Sequence, residues 1–201
     1  MNLNFVLNII SLVLVAVAAL IGLFYLVHFL RYRSGKLAHA RVMGALKRFG
    51  LIRNYKILEN LHLRYGEREA QIDCMLVGFF GILLVNAVND TAEYYGDVGD
   101  RQWVKVMKDK RSRMDNLCAK NIRDIELLRE IFSKNGVYGI QMEGLVVFCG
   151  NVKKTIFGIT GGQGLMNLKK FKAYLGKSKF EKDNDVDVPA LTELILKYQV
   201  Q

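Results

Sequence analysis

From Phe5 to Leu30 the chain reads FVLNIISLVLVAVAALIGLFYLVHFL, with no Asp, Glu, Lys or Arg. A helix needs about 20 mostly apolar residues to cross a bilayer, so this run predicts a membrane-spanning helix. It is too long for the apolar core of a secretory signal, and the four residues before it have no basic side chain to begin one. The period then changes. Between Ser34 and Phe49 the positions Leu37, Val42, Leu46 and Phe49 fall on one stripe at helical spacing, and Gly50 is a natural stop. Beyond Lys56 the apolar runs shorten to strand length: Ile57 to Leu63, Gln71 to Val77 and Ile82 to Val88. Gly78-Phe79-Phe80-Gly81 predicts an antiparallel hairpin between the last two. Both strands are apolar on both faces, as in the middle of a sheet. Counting back from the turn sets Val77 opposite Ile82, Met75 opposite Leu84 and Asp73 opposite Asn86.

Glu93 to Trp103 reads as a strand plus loop. Asp115-Asn116 offers an N-cap to a helix running to about Lys134, with Cys118, Ile122, Ile125, Leu128, Ile131 and Phe132 on its apolar face and Asn135-Gly136 closing it. Val137 to Cys149 and Val152 to Ile159 flank Gly150-Asn151, which predicts a second hairpin. The glycine-rich Gly161 to Gly164 lacks the Lys-Ser/Thr of a phosphate-binding loop and reads as a turn. Leu165 to Leu175 and Val188 to Tyr198 predict two helices around a charged stretch. The expected fold class is α/β, a mixed sheet flanked by helices behind one transmembrane helix. The expected division is an anchor with a basic juxtamembrane segment over 1–33, an α/β domain over 34–176, and a charged linker with a C-terminal helix over 177–201.

Charge sharpens the topology. The 201 residues carry a formal net charge of +10, and every Lys and Arg lies after residue 30. Arg31, Arg33, Lys36, Arg41, Lys47, Arg48, Arg53 and Lys56 follow the apolar run with no acidic residue among them. Positive charge beside a membrane helix keeps that side cytoplasmic, which places the domain in the cytoplasm and the N-terminus outside. The same charges attract anionic lipid headgroups or nucleic acid, with lipid and topology the expected main role. Cys74, Cys118 and Cys149 make neither a disulfide framework nor a zinc pattern, and suit inert thiols in a reducing compartment.

Asp73 is the residue that demands a chemical account, because a carboxylate within an apolar hairpin is costly without partners. It either hydrogen-bonds Asn86 and sets register, or lies exposed at a strand end, or forms the floor of an active site. The stretch from Ala70 to Trp103 resembles the nuclease-related domain, NERD, of the restriction-endonuclease-like group. Gln71-Ile72-Asp73 corresponds to the family's first strand and Gly81-Ile82 to its turn, while Gly96 and Trp103 fall at suitable distances. The resemblance runs from about Ala38 to Ile159. It implies a restriction-endonuclease-like sheet and a metal site for phosphodiester hydrolysis, with Asp73 as metal ligand and Gln71 beside it. It also locates the departures: Asn86 stands at the family's strand Glu, Val88 at its Lys, and His39 at its helix Glu.

Those departures carry the functional expectation. Hydrolysis of this type needs a hard divalent ion held by carboxylates and fixed positive charge near the developing transition state, each such group contributing factors of about 10² to 10³. Asn86 brings no charge and Val88 no donor. The expectation is a membrane-anchored pseudo-nuclease without cofactor, which engages a protein partner or nucleic acid, with Arg31, Arg33, Lys36, Arg41, Lys47 and Arg48 as the residues that bind nucleic acid or membrane lipid. The alternative is an active Mg²⁺-dependent DNA nuclease that recruits Asp90, Glu93, Glu67, Glu69 or Lys105 to a rearranged site.

Overall fold

A computed structural model describes residues 3–33, 36–89, 92–107, 109–150, 157–160 and 164–200. Helix α1, Leu3–Arg33, contains the span Ile10–Leu30, whose mean hydropathy is 2.8 and none of which is buried by the rest of the chain. It is one helix long and apolar enough to cross a membrane. Helix α2, Lys36–Leu51, follows. Three antiparallel strands come next: β1 Lys56–Tyr65, β2 Arg68–Gly78 and β3 Gly81–Val88. The hairpin pairs Val77 with Ile82 and Met75 with Leu84, as the count from the turn requires.

Beyond β3 the chain builds a second sheet. Strands β4 Glu93–Asp97, β5 Gln102–Met107 and β6 Lys110–Asp115 form an antiparallel meander, and helix α3, Leu117–Lys134, follows. Asn116 caps α3, its side chain accepting from the Cys118 and Ala119 amides. Strand β7 Met142–Phe148 then returns to the first sheet, β8 Phe157–Thr160 to the second and β9 Leu165–Asn167 to the first. Helices α4 Leu168–Leu175 and α5 Val188–Leu196 close the chain. The architecture is mixed α/β with two sheets, ordered β1-β2-β3-β7-β9 and β6-β5-β4-β8, where one was expected.

The hairpin expected across Gly150-Asn151 does not form. Strand β7 lies parallel between β3 and β9, while β8 pairs parallel with β4 in the other sheet. Residues 145–149 are buried, so this run belongs to a sheet interior with both edges taken, and no edge remains for a hairpin partner. Residues 151–156, which would have held the turn, lie outside the described residues.

Two cores sandwich the five-stranded sheet. On one face Ala38, Val42, Met43 and Leu46 of α2 and Phe171 and Leu175 of α4 cover Cys74, Leu76, Leu83, Val85, Leu145 and Val147. On the other, Leu127, Leu128, Ile131 and Phe132 of α3 and Leu191 and Ile195 of α5 cover Met75, Val77, Ile82 and Leu84. The alternation along β2 and β3 divides these residues between the faces. Each fully buried Leu, Ile, Val or Phe contributes about 1.5–3 kcal/mol. The charged stretch 177–187 also contributes Phe180 to the first core and Val186 to the second. A third cluster, with Tyr94, Trp103, Val146 and Phe148, ties the second sheet to the first.

The alternation breaks at one place. Ile72 and Met75 serve the same core although three residues apart, and so do Leu58 and Leu61 on β1. Between the pairs Glu59–Cys74 and Leu61–Ile72 stand Asn60, with φ +53°, and Asp73. The left-handed backbone of Asn60, a residue type that tolerates it, returns the apolar positions to one face.

Candidate functional site

Asp73 sits at this break, where β2 parts from β3. The β2–β3 ladder ends at the Cys74–Val85 pair. Beyond it the Ala87 amide donates to the Asp73 carboxylate over 3.2 Å, so the side chain takes the place of a ladder carbonyl. The hydrogen bond between Asp73 and Asn86 that could have set the register is not formed. Asn86 is 5% exposed and its amide nitrogen donates instead to Asn121 Oδ1 of α3, at 2.8 Å. Asn121 Nδ2 donates onward to the Leu145 carbonyl of β7, at 3.3 Å. This buried relay binds β3, α3 and β7 together. Gly144 makes room for it, because a Cβ there would lie 2.6 Å from that of Asn121.

Val88 packs against the cluster of Tyr94, Trp103 and Phe148. The Gln71 side chain is exposed, while its backbone carbonyl accepts from Lys120 Nζ of α3. Lys120 also donates to Asp124 Oδ2 over 2.7 Å. Arg68, Gln71, Lys120, Arg123 and Asp124 line part of a cleft of about 400 Å³. The sequence reading missed Lys120, Asn121 and Asp124 because it placed Ile122 on the inner face of α3. Ile122 is 53% exposed, and Asn121 and Asp124 are buried in its stead. The available signal was the spacing of Asn121, Asp124 and Leu128, three and four residues apart along one helical face.

His39 is turned to other partners. Its Nδ1 lies 3.5 Å from Cys74 Sγ and its Nε2 3.3 Å from Glu59 Oε2. Burial pushes the Cys74 thiol pKa up strongly, and those of Cys118 and Cys149 up to about 11, so all three stay protonated at neutral pH. Of the basic series, Arg41 donates to the Cys149 carbonyl at 2.9 Å, and Lys47 and Arg48 are exposed. The side chains of Arg31, Arg33 and Lys36 lie outside the described residues, as does Asp90. Glu69 accepts from Arg64 and lies 3.0 Å from His62, and Glu93 accepts from the Tyr95 hydroxyl.

The family model of the nuclease-related domain matches residues 34–149, more than half of the chain. The chain belongs to the NERD family. No curated protein and no solved structure matches it. The matched segment of this NERD chain begins just before α2 and ends just after β7, so β9 and β8, which complete the two sheets, lie beyond it.

The family implies a divalent ion, and the described residues around Asp73 do not fit one. Such an ion takes several oxygen ligands, usually with more than one carboxylate. Among the described residues no three His, Cys, Asp or Glu side chains converge to hold a metal. Asn86 is neutral and held by Asn121, and Val88 offers no donor atom.

Asp124 supplies a measurable consequence. Burial raises its pKa above the ordinary 3.8, against the opposing hydrogen bond from Lys120. The folded carboxyl takes up its proton at a higher pH than the unfolded one. Through this group, acidification from the raised value toward 3.8 therefore stabilises the fold, and the gain is lost as pH rises again. Asp124→Asn removes that slope. Urea titrations of both chains in detergent at pH 7 and near pH 4 should show the wild type gaining on the variant at the lower pH.

Proposed function

We propose that this NERD chain is a pseudo-nuclease that acts as a binding or scaffolding module. Helix α1 anchors it in the cell membrane, and the domain faces the cytoplasm, where it engages a protein partner or nucleic acid without cutting. One observation carries this reading. At the position of the family's strand Glu, Asn86 is a buried structural residue whose amide joins β3 to α3. An ion there would meet a neutral side chain already in use, next to the alkyl group of Val88. The basic run after α1 supports the cytoplasmic orientation.

A second reading, an active nuclease with a rearranged site, draws on the ammonium of Lys120 and the buried carboxylate of Asp124 beside Gln71. One assay separates the two. The full chain in mild detergent is incubated with supercoiled plasmid and Mg²⁺ or Mn²⁺. The pseudo-nuclease reading expects no more nicking than Asp73→Ala produces. Nicking that vanishes in both Asp73→Ala and Lys120→Met would overturn it in favour of the second reading.

A further inference from the structure

Helix α2 has two faces with different destinations. Its inner face, with Ala38, Val42, Met43 and Leu46, is buried in the first core. Its outer face is half-buried at Leu37 and Gly44 and open to solvent from Lys47 to Leu51, Phe49 and Gly50 of the inner side apart. Leu37, Gly44 and Leu51 run along that outer face at seven-residue spacing, which keeps them within about 40° of one line. A Cβ at Gly44 would find no atom within 4 Å. Lys47 flanks this line on one side and Arg48 on the other, while the guanidinium of Arg41 donates to the Cys149 carbonyl. At its far end Leu51 is 86% exposed and Ile52, in the turn that follows, is 83% exposed. No described large hydrophobic of the α/β domain is more open to solvent than these two.

A narrow apolar line bordered by cations is the pattern of a helix that lies in a membrane interface, apolar side chains down and basic side chains reaching to the headgroups. The chain also supplies the proximity. Helix α1 ends at Arg33 and α2 begins at Lys36, three peptide steps that span at most about 11 Å. That is close to the Debye length of about 8 Å at physiological salt. The only described acidic groups paired with cations at this end are Glu59, 3.9 Å from Lys47, and Glu181, 2.7 Å from Arg53. Both are surface pairs and leave Arg48 free of a carboxylate.

Resting on the reading of α1 as a membrane anchor, we infer that the outer face of α2 docks flat on the anionic leaflet of the same membrane, with Leu51 and Ile52 entering the acyl boundary. The basic run is thus a lipid contact, and the five-stranded sheet is held parallel to the bilayer with α3 and α5 facing away from it.

The test uses the full chain in nanodiscs of phosphatidylcholine with and without phosphatidylserine. An environment-sensitive dye is attached at Leu51→Cys or, as control, at Tyr138→Cys beyond α3. The native thiols are buried and do not compete. Lipids brominated in the acyl chains should quench the dye at Leu51→Cys in the phosphatidylserine discs and leave the dye at Tyr138→Cys bright. Each cation near an anionic surface strengthens binding roughly five-fold, so Lys47→Gln/Arg48→Gln should lower the docked-to-undocked ratio about 25-fold. An unquenched dye at Leu51→Cys, or equal quenching at both sites, overturns the inference. So does protection of the Leu51→Cys dye by duplex DNA in place of anionic lipid. Alkaline carbonate separates this from failure of the anchor. A chain released by carbonate has no spanning helix, whereas one retained with an unquenched dye keeps its anchor and loses only the docked face.

Discussion

Gly81→Ala should lower the stability of the domain by about 3–5 kcal/mol, combining backbone strain of about 1–3 kcal/mol with a steric conflict of similar size. Gly81 opens β3 with φ +122°, in the region that side chains rarely adopt, and a Cβ there would lie 2.2 Å from the Gln141 carbonyl oxygen. That oxygen accepts from the Ile82 amide at 2.8 Å, so the conflict falls where β3 meets the chain entering β7. Backbone on both sides leaves no flexible side chain to yield. Thermal denaturation of the full chain in detergent should show Tm falling by about 6–20 °C, at about 2–4 °C per kcal/mol for a domain of this size. Gly66→Ala is the control. Gly66 also has positive φ, at +60°, but its Cβ would meet nothing within 4 Å, so it should lose only the local backbone term of about 1–2 kcal/mol. Equal losses in the two variants would show that the contact with Gln141 is unimportant.

Trp103→Ala should cost about 3–5 kcal/mol, the range for truncating a large buried aromatic. Trp103 is fully buried between Tyr94, Phe148 and Cys118, and its indole donates to the Asp97 carbonyl at 3.0 Å. It is the principal side chain by which β5 of the second sheet reaches the core shared with β7. Loss of its volume should therefore loosen the second sheet before the first. Hydrogen exchange should report this as faster exchange in β4 to β6 than in β2 and β3. An exposed base-stacking residue would behave otherwise. Its truncation would leave the melting curve alone and weaken only nucleic-acid binding. Trp103→Phe keeps most of the ring contact and should recover more than half of the loss.

The local elements were largely legible in the chain. A 26-residue apolar run, a helical stripe and two strands across a glycine turn each depend on short-range spacing, and that spacing is preserved in α1, α2, β2 and β3. The β2–β3 register followed from the turn alone, since pairing across a hairpin counts outward from its loop. Strand β6 was missed because Lys-Arg-Ser-Arg-Met-Asp carries no apolar alternation. As an edge strand it has little to bury. The partner of β7 was misread because parallel pairing through a crossover leaves no local mark, whereas Gly150-Asn151 imitates a hairpin turn.

Helices α1 and α2 and the β2–β3 hairpin were thus settled by neighbours within a few residues, where propensity and periodicity act directly. Which side chains meet at Asp73 was settled by contacts between residues far apart in the chain. Asn86 to Asn121 and Gln71 to Lys120 are joined only when α3 is laid across the sheet. Directional hydrogen bonds among buried groups depend on fractions of an ångström, and these the packing of α3 against β3 and β7 imposes, whatever the spacing along the strand.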